Sequence, residues 1–216
     1  MVWRKNGFSL PRLLLCEGPD DVAFLERFIE ARGISPYHIS DTSTAEAPNG
    51  GNSGFSRALR AAKFNPNFAS VTKIVVLSDN DGDPTDSFAK VRAQVEEAGF
   101  DGPQADRQPT CGRPSITVVM VPLGGNPGTL EALCVEAAHS ANAQIADHVK
   151  SFGALLRADD WPASRAGKFY LRSSLAARCA QDPFVPLGRA IRDYPDLIPL
   201  HHASFTPLEA LLAQLA

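Results

Sequence analysis

Three aspartates at alternate positions follow an apolar run in the segment KIVVLSDNDGDP, which spans residues 73–84. They are Asp79, Asp81 and Asp83, and the continuous apolar run before them predicts a buried strand. Carboxylates this close repel each other unless a cation or a proton neutralises them. The spacing therefore predicts a cation site at the end of this strand, with Asp79 and Asp81 as ligands, whereas Asp83 also suits a turn before Pro84.

A second acidic group follows the first predicted strand, in the segment RLLLCEGPDD. Glu17 stands at the end of the apolar stretch Leu13–Cys16. Pro19 suits the first turn of a helix, and Asp21 in that turn suits its positive N-terminal end. Glu17 and Asp21 are therefore further candidate metal ligands, although Asp21 also fits a purely helix-stabilising role.

A third acidic group follows the last predicted strand, SITVVMV, after a glycine-rich loop. Glu131 lies one turn into a helix that begins at the Gly128-Thr129 turn, and Glu136 lies five residues farther on. Hard carboxylate oxygens favour Mg²⁺ or Mn²⁺. We expect Glu131, with help from Glu136, to complete a second ion site.

The elements that must position these acids are strands that alternate with amphipathic helices. The strands read as continuous apolar runs, which predicts an α/β fold with a mostly parallel sheet and helices on both faces. The carboxyl ends of such strands lie at one edge, where ligands bind. We expect the acids to converge there. The third helix is predicted in SFAKVRAQVEEAGF, from Ser87 to a stop at Gly99.

The chain is predicted to contain an α/β domain at residues 1–150 and a helical C-terminal extension at residues 151–216 that packs on it. The composition changes at this point, since residues 150–192 contain eight basic and three acidic side chains. A basic, helical segment beside an acidic metal site favours binding of nucleic acid.

The order of these motifs resembles the TOPRIM domain, which topoisomerases, bacterial primases, recombination proteins and the nucleases of the OLD (overcoming lysogenization defect) family share. The matching residues are Glu17-Gly18 in LLCEG and Asp79-Asn80-Asp81 in VVLSDND, and the resemblance covers about residues 13–138. The segments CEGPDD and GGNPGTLEALCVEA resemble the OLD branch. Small stand-alone TOPRIM proteins have a lysine in a C-terminal helix, and Lys168 in GKFYLRSSLA is its nearest match.

The resemblance implies a metal-dependent nuclease that cleaves phosphodiester bonds in DNA or RNA with two Mg²⁺ or Mn²⁺ ions. Glu17 would act as general base or ligand, and Lys168 would stabilise the charge of the transition state. The implied metal ligands are Glu17, Asp21, Asp79, Asp81, Glu131 and Glu136, and the implied nucleic-acid contacts are Arg165, Lys168 and Arg172. OLD nucleases carry a fused ATPase. This sequence contains no GxxxxGK[ST] motif, so a separate ATPase chain is the expected partner, in a setting such as phage defence.

Two other functions stay open. The domain could bind metal or nucleic acid, or regulate a partner, without turnover. The segment VVLSDNDGD also resembles the first motif of haloacid-dehalogenase-type phosphatases, in which Asp79 would be the nucleophile and Asp81 the acid/base. That motif usually lies on the first strand, whereas here a strand with its own acid precedes it.

The composition of the chain indicates the kind of protein and the cellular compartment in which this chemistry would take place. The chain has 216 residues and a net charge of −3, so it has no general basic character. Its four cysteines form no CxxC pair, which argues against a zinc knuckle and favours free thiols in a reducing cytoplasm. No apolar run approaches the ~20 residues of a membrane span. We expect a soluble cytoplasmic protein, for which a homodimer is possible.

Overall fold

Four parallel strands form the central sheet. The structure is a computed structural model that describes residues 8–44 and 50–216. The strands are β1 (Arg12–Cys16), β2 (His38–Asp41), β3 (Lys73–Asp79) and β4 (Ser115–Val121), in the order β2-β1-β3-β4. All neighbouring pairs are parallel. The predicted α/β fold class is therefore confirmed, and the two strands that carry the first acids, β1 and β3, lie side by side in the middle of the sheet.

Helices cover both faces of this sheet. In the described residues they are α1 (Pro19–Ala31), α2 (Phe55–Lys63), α3 (Pro84–Glu97), α4 (Leu130–Ser140), α5 (Ala143–Leu155), α6 (Ala163–Arg178), α7 (Leu187–Asp193) and α8 (Thr206–Leu215). One face packs against α2 and α3, and the other packs against α1, α4, α6, α7 and α8. Within the ranges given above, no helix is both long and apolar enough to cross a membrane.

Strand β3 shows why the apolar run is continuous rather than alternating. Ile74 and Val76 are buried in the core on the α2–α3 side, whereas Val75 and Leu77 are buried in the core on the other side. Successive side chains of a strand point to opposite faces. A strand covered on both faces must therefore be apolar at every position.

The helices after residue 150 share their core with the sheet. Phe205 packs against Phe24 and Phe28 of α1, with ring centroids 5.6 Å from each. The hydroxyl of Tyr37 donates a 2.7 Å hydrogen bond to the carbonyl of Leu212 in α8. Residue 150, the predicted end of the first domain, lies inside α5.

The third helix begins earlier than predicted. It starts at Pro84 rather than Ser87, because the carboxylate of Asp83 accepts hydrogen bonds from the backbone N–H groups of Thr85 and Asp86. Pro84 occupies the first helical position, where a missing N–H costs nothing. Asp83 is thus the N-cap of α3. Its position before Pro84 had indicated such a local role as the alternative to a metal ligand.

Candidate metal centre

Glu17 and Asp79 come together at the carboxyl edge of the sheet. Leu15 pairs with Val76 in the β1–β3 ladder, which places the two strand ends beside each other. Oε1 of Glu17 accepts a 2.9 Å hydrogen bond from the backbone N–H of Asp79 and a 2.6 Å hydrogen bond from the hydroxyl of Ser78. The Glu17 carboxylate is therefore anchored to the end of β3, as the predicted convergence requires.

Asp79 also binds the start of α4. Its Oδ1 accepts a 2.9 Å hydrogen bond from the backbone N–H of Leu130, the first residue of that helix. A carboxylate at a helix N-terminus is stabilised by the positive end of the helix dipole. This contact places Glu131, the next residue, beside the same centre.

Asp21 is held from the side of α1. Its Oδ2 accepts a 2.9 Å hydrogen bond from the backbone N–H of Gly18, the N-cap residue of the helix. The helix-stabilising role is thus real. Asp21 still belongs to the centre, because its charge contributes to raising the pKa of Asp79. Burial is the largest cause of that rise and the charge of Glu17 is the second.

Asp81 reaches the centre differently from the expectation. An extended strand end would aim residues 79 and 81 the same way, but β3 ends at Asp79 and Asp81 has a left-handed backbone with φ of 49°. Its backbone forms a two-way hydrogen-bonded bridge with Gly128, at 2.9 and 2.8 Å. The Asn52 side chain donates to its Oδ2 at 3.3 Å. Asp81 thus approaches through a turn, and its charge still contributes to raising the pKa of Glu17.

The acids disfavour one another's ionisation. Burial, followed by the charges of Glu17 and Asp21, raises the pKa of Asp79 to about 9. Burial also raises the pKa of Asp21 to about 7, with smaller contributions from Glu17 and Glu131. Burial raises the pKa of Glu17 as well, against the lowering effect of the Ser78 hydrogen bond. A bound cation would reverse these shifts, since it favours the charged carboxylates.

Glu131 and Glu136 project from different sides of α4. The charge of Glu131 raises the pKa of both Asp21 and Asp79, so it belongs to the acidic centre. Glu136 is exposed on α4. Five residues correspond to about 500° of helical rotation, which turns it about 140° away from Glu131. We therefore leave Glu136 out of the centre, because the geometry of a regular helix separates the two carboxylates.

A glycine-rich loop fixes the backbone of Glu17 from the outside. The carbonyl of Glu17 accepts hydrogen bonds from the N–H of Gly51 at 3.0 Å and from the hydroxyl of the buried Thr42 at 2.8 Å. Gly50 has φ of +69°, and a Cβ there would lie 1.9 Å from that carbonyl oxygen. Only glycine therefore permits this close approach, which the polar composition of the loop did not predict.

Buried polar groups behind the acids were also not predicted. Asn80 is fully buried, and its amide nitrogen donates 2.7 Å hydrogen bonds to the carbonyls of Pro122 and Asn126. It thereby fixes the loop after β4 to the end of β3. The one available signal was a polar residue between two acids at the end of a buried strand.

The donor set suits a hard divalent cation, but not as a complete protein cage. In residues 8–44 and 50–216, no three His, Cys, Asp or Glu side chains are already gathered closely enough to hold an ion together. Mg²⁺ is commonly bound through one or two carboxylates, with waters and substrate phosphates as the other ligands. Two buried oxygens beside the acids, Asn80 Oδ1 and Thr129 Oγ1, have no hydrogen-bond partner among the described residues. The arrangement therefore fits an ion whose shell is completed by water and substrate.

The predicted basic residues lie on one face of α6. Arg165, Lys168 and Arg172 are spaced three and four residues apart, so they project within about 60° of one another. Lys168 is near enough to Glu17 for its charge to lower the pKa of that carboxyl, although burial dominates and raises it. The Arg165 guanidinium stacks on Trp161 at 4.0 Å. The backbone of Gly167 lies against Ala132, where an added Cβ would meet the Ala132 Cβ at 3.2 Å, and this close contact seats α6 on the start of α4.

Most other basic residues of the C-terminal segment are occupied within the fold. Arg178 donates to the carbonyls of Ala138, Asp196 and Leu197, and Arg189 pairs with Asp182 and Asp193. In the described part of the chain, neither the side chain of Lys168 nor that of Arg172 forms a hydrogen bond or an ion pair. These two cations are thus available to a ligand, a distinction that counting charges in the sequence could not make.

Comparison with known proteins identifies the family but not its activity. One solved structure, the C-terminal region of the OLD protein of Xanthomonas campestris pv. campestris, is similar at 16% sequence identity and a TM-score of 0.41, with 96% of each chain covered. A search of curated proteins gave no match. A family model described as "Protein of unknown function (DUF3226)" matches residues 11–216. The chain therefore belongs to the DUF3226 family.

Proposed function

We propose that this protein is a divalent-metal-dependent nuclease that hydrolyses phosphodiester bonds in DNA or RNA. The observation that carries the proposal is a cluster of mutually destabilising carboxylates at the carboxyl edge of the sheet. It lies next to Lys168 and Arg172 of α6, whose side chains have no ion-pair partner among the described residues. The acids favour a cation and the cations favour phosphate, and a metal-dependent phosphodiesterase needs both together.

In this proposal Asp79, Asp21 and Asp81 hold Mg²⁺ or Mn²⁺ at the sheet edge, and Glu131 contributes from α4. The ion would supply Lewis-acid polarisation of a phosphate oxygen. Among the described residues no three of these carboxylates are gathered closely enough to hold an ion together, so water and substrate phosphates would complete its shell.

Glu17 is the residue we assign to proton transfer. Ser78 and the Asp79 backbone fix its Oε1, which leaves Oε2 to accept a proton from the attacking water. The water oxygen forms the new bond to phosphorus, the bond from phosphorus to the leaving oxygen of the strand breaks, and that oxygen takes up a proton from solvent water. Lys168 would stabilise the negative charge that develops on the phosphate oxygens.

Cleavage of DNA and RNA strands in Mn²⁺, with and without a chelator, tests this proposal. We expect cleavage only with the ion present. Glu17→Gln should lower kcat by about 10²–10⁴-fold, because it removes the base and keeps the shape. Glu136→Gln is the matched control, since it neutralises an exposed acid on the α4 surface and should leave kcat unchanged.

Lys168→Ala separates the roles of the α6 cations. If Lys168 stabilises the transition state, kcat should fall by about 10²–10³-fold while the strand affinity changes far less. Arg165→Ala removes a charge from the same helical face and should change affinity only. Equal losses of kcat and affinity in Lys168→Ala would reduce Lys168 to a phosphate contact.

Two results would contradict the proposed nuclease function. Cleavage that survives both the chelator and Glu17→Gln would assign the activity elsewhere. Calorimetric binding of Mn²⁺ without cleavage of any strand would leave a non-catalytic metal-binding or nucleic-acid-binding subunit.

The TOPRIM resemblance of the sequence adds a separate ATPase chain and a role in phage defence to the proposal. Copurification of an ATPase with the tagged protein would test that part.

A further inference from the structure

A groove of about 400 Å³ lies between α6 and the segment that leads into α7. Its volume is within the range of small-molecule sites, about 300–1,000 Å³. Its lining residues include Asp20 of α1 and Glu131 of α4, so the groove borders the acidic centre through Glu131. Leu171 and Leu175 form an apolar wall, and Arg172 provides a positive charge.

Phe184 stands at the rim of this groove and is 90% exposed. Its backbone N–H donates a 2.9 Å hydrogen bond to the carboxylate of Asp182, which also pairs with Arg189 at 3.0 Å. The next residue, Val185, is buried and anchors the turn. The fold therefore holds an aromatic ring in solvent on a fixed backbone, where the ring itself contributes little to the core.

The groove is coupled to α1 through a tight contact. Asp20 accepts a 3.0 Å hydrogen bond from the backbone N–H of Gly188, where an added Cβ would lie 2.7 Å from that carboxylate oxygen. Asp20 is therefore committed to the fold. The cation left for a ligand in the groove is Arg172, which has no ion-pair partner in residues 8–44 and 50–216.

We propose that this groove binds an unpaired nucleotide next to the scissile phosphate, so that the substrate is single-stranded nucleic acid or an unpaired strand end. Phe184 stacks on the base, the apolar wall packs against it, and Arg172 contacts a flanking phosphate. Aromatic rings bind bases only when these are unstacked from a duplex, and such stacking tolerates any base. The inference rests on the proposed nuclease, because the groove is assigned by its connection to that centre.

Strand affinity measured by fluorescence anisotropy tests the groove. The variants are made in the Glu17→Gln background, which keeps the labelled strand intact, and Mn²⁺ is present. Phe184→Ala should weaken binding of a single-stranded oligonucleotide by ~5- to 150-fold and change binding of a blunt duplex little. Phe64→Ala is the matched control, because Phe64 is 88% exposed but lies at the end of α2 on the other face of the sheet. It should leave both affinities unchanged.

Two further readouts distinguish stacking from a structural effect. Phe184→Trp should keep the affinity and lose tryptophan emission when the strand binds, whereas Phe64→Trp should not. Arg172→Gln should reduce the slope of log affinity against log salt by about 0.7 for a single strand. Equal affinities of Phe184→Ala and Phe64→Ala, an equal loss for duplex, or no strand binding at all would overturn the inference.

The nuclease and the groove can fail separately. Cleavage by the otherwise native Phe184→Ala protein with unchanged KM would keep the nuclease and reject the groove. If a base stacks on residue 184 but the native chain cleaves no strand, the nucleotide-binding groove would be supported and the nuclease activity would be rejected.

Discussion

At the scale of single residues, Asp79 is the acid of the centre whose pKa is raised to about 9, above the value of about 7 for Asp21. One of its oxygens accepts from Leu130, and its surroundings are protein and other carboxylates. Without a cation the proton is its best partner. This is why its pKa rises to about 9, and why the same residue that would bind the ion also destabilises the metal-free fold at neutral pH.

The free energy of unfolding of the metal-free protein should therefore fall as the pH rises from about 4 to about 9. The pKa of Asp79 is raised in the folded state, so the stabilisation is complete below the ordinary value of 3.8 and is lost as the pH rises through about 9. The slope for this one group is at most about 1.4 kcal/mol per pH unit.

Asp79→Asn should flatten the profile between about pH 7 and pH 9, above the pKa of Asp21, and raise the melting temperature in chelator at pH 8, since the amide oxygen can still accept a hydrogen bond from Leu130. Denaturant titrations across the pH range would measure it. The exposed Glu136→Gln serves as the control with an unchanged profile. A wild-type slope that persists in Asp79→Asn would show that another group titrates.

At the scale of elements, loops as well as strands orient the acids. Gly50 and Gly51 pack on the Glu17 carbonyl, and the left-handed turn at Asp81 pairs with Gly128. Asp83, two residues on, is used entirely as the cap of α3. Three acids with the same spacing in the sequence therefore end in three different roles, because the backbone changes direction after Asp79.

Two glycines with similar backbone angles allow a controlled test of the loop. Gly33 and Gly50 have φ of +63° and +69°, but an added Cβ would meet nothing within 4 Å at Gly33 and the Glu17 carbonyl at Gly50. Gly33→Ala should cost about 1–2 kcal/mol of backbone strain and keep cation affinity. Gly50→Ala should cost more and weaken Mn²⁺ binding. Calorimetry on both variants decides this, and equal Mn²⁺ affinities would disprove the link between the loop and Glu17.

At the scale of the whole molecule, the C-terminal helices and the sheet share one core. Phe205 contacts two α1 phenylalanines, and Arg32 of the segment after α1 donates to the carbonyls of Leu200 and His202. The basic face of α6 can therefore be held at a fixed distance from the acids. Such a fixed distance is what a combined cation and phosphate site requires.

Phe205→Ala should lower the free energy of unfolding by ~3–5 kcal/mol, the usual cost of removing a buried phenylalanine. It should do so within a single transition, because the extension and the sheet unfold together. Far-UV and near-UV circular dichroism during denaturation would measure this, with the exposed Phe64→Ala as a control within about 0.5 kcal/mol of wild type. Two separated transitions would instead support independent units divided near residue 150.

The sequence by itself determined the parallel sheet and the meeting of Glu17 with Asp79. Strands that are apolar at every position must be covered on both faces, and parallel strands end at one edge. Those rules need only the chain order of strands and acids. The same local information, together with the resemblance, also indicated Asp21 and Lys168.

Only the tertiary structure decided how the site is built. Thr42, Ser78 and the Gly50 loop orient Glu17, and each lies more than 20 residues from it. Neighbours in space also decide that Arg178 and Arg189 are paired, whereas Lys168 and Arg172 have no side-chain partner in residues 8–44 and 50–216. Hydrogen bonds and ion pairs act over a few ångströms, so the residues that complete them are set by packing and not by spacing along the chain.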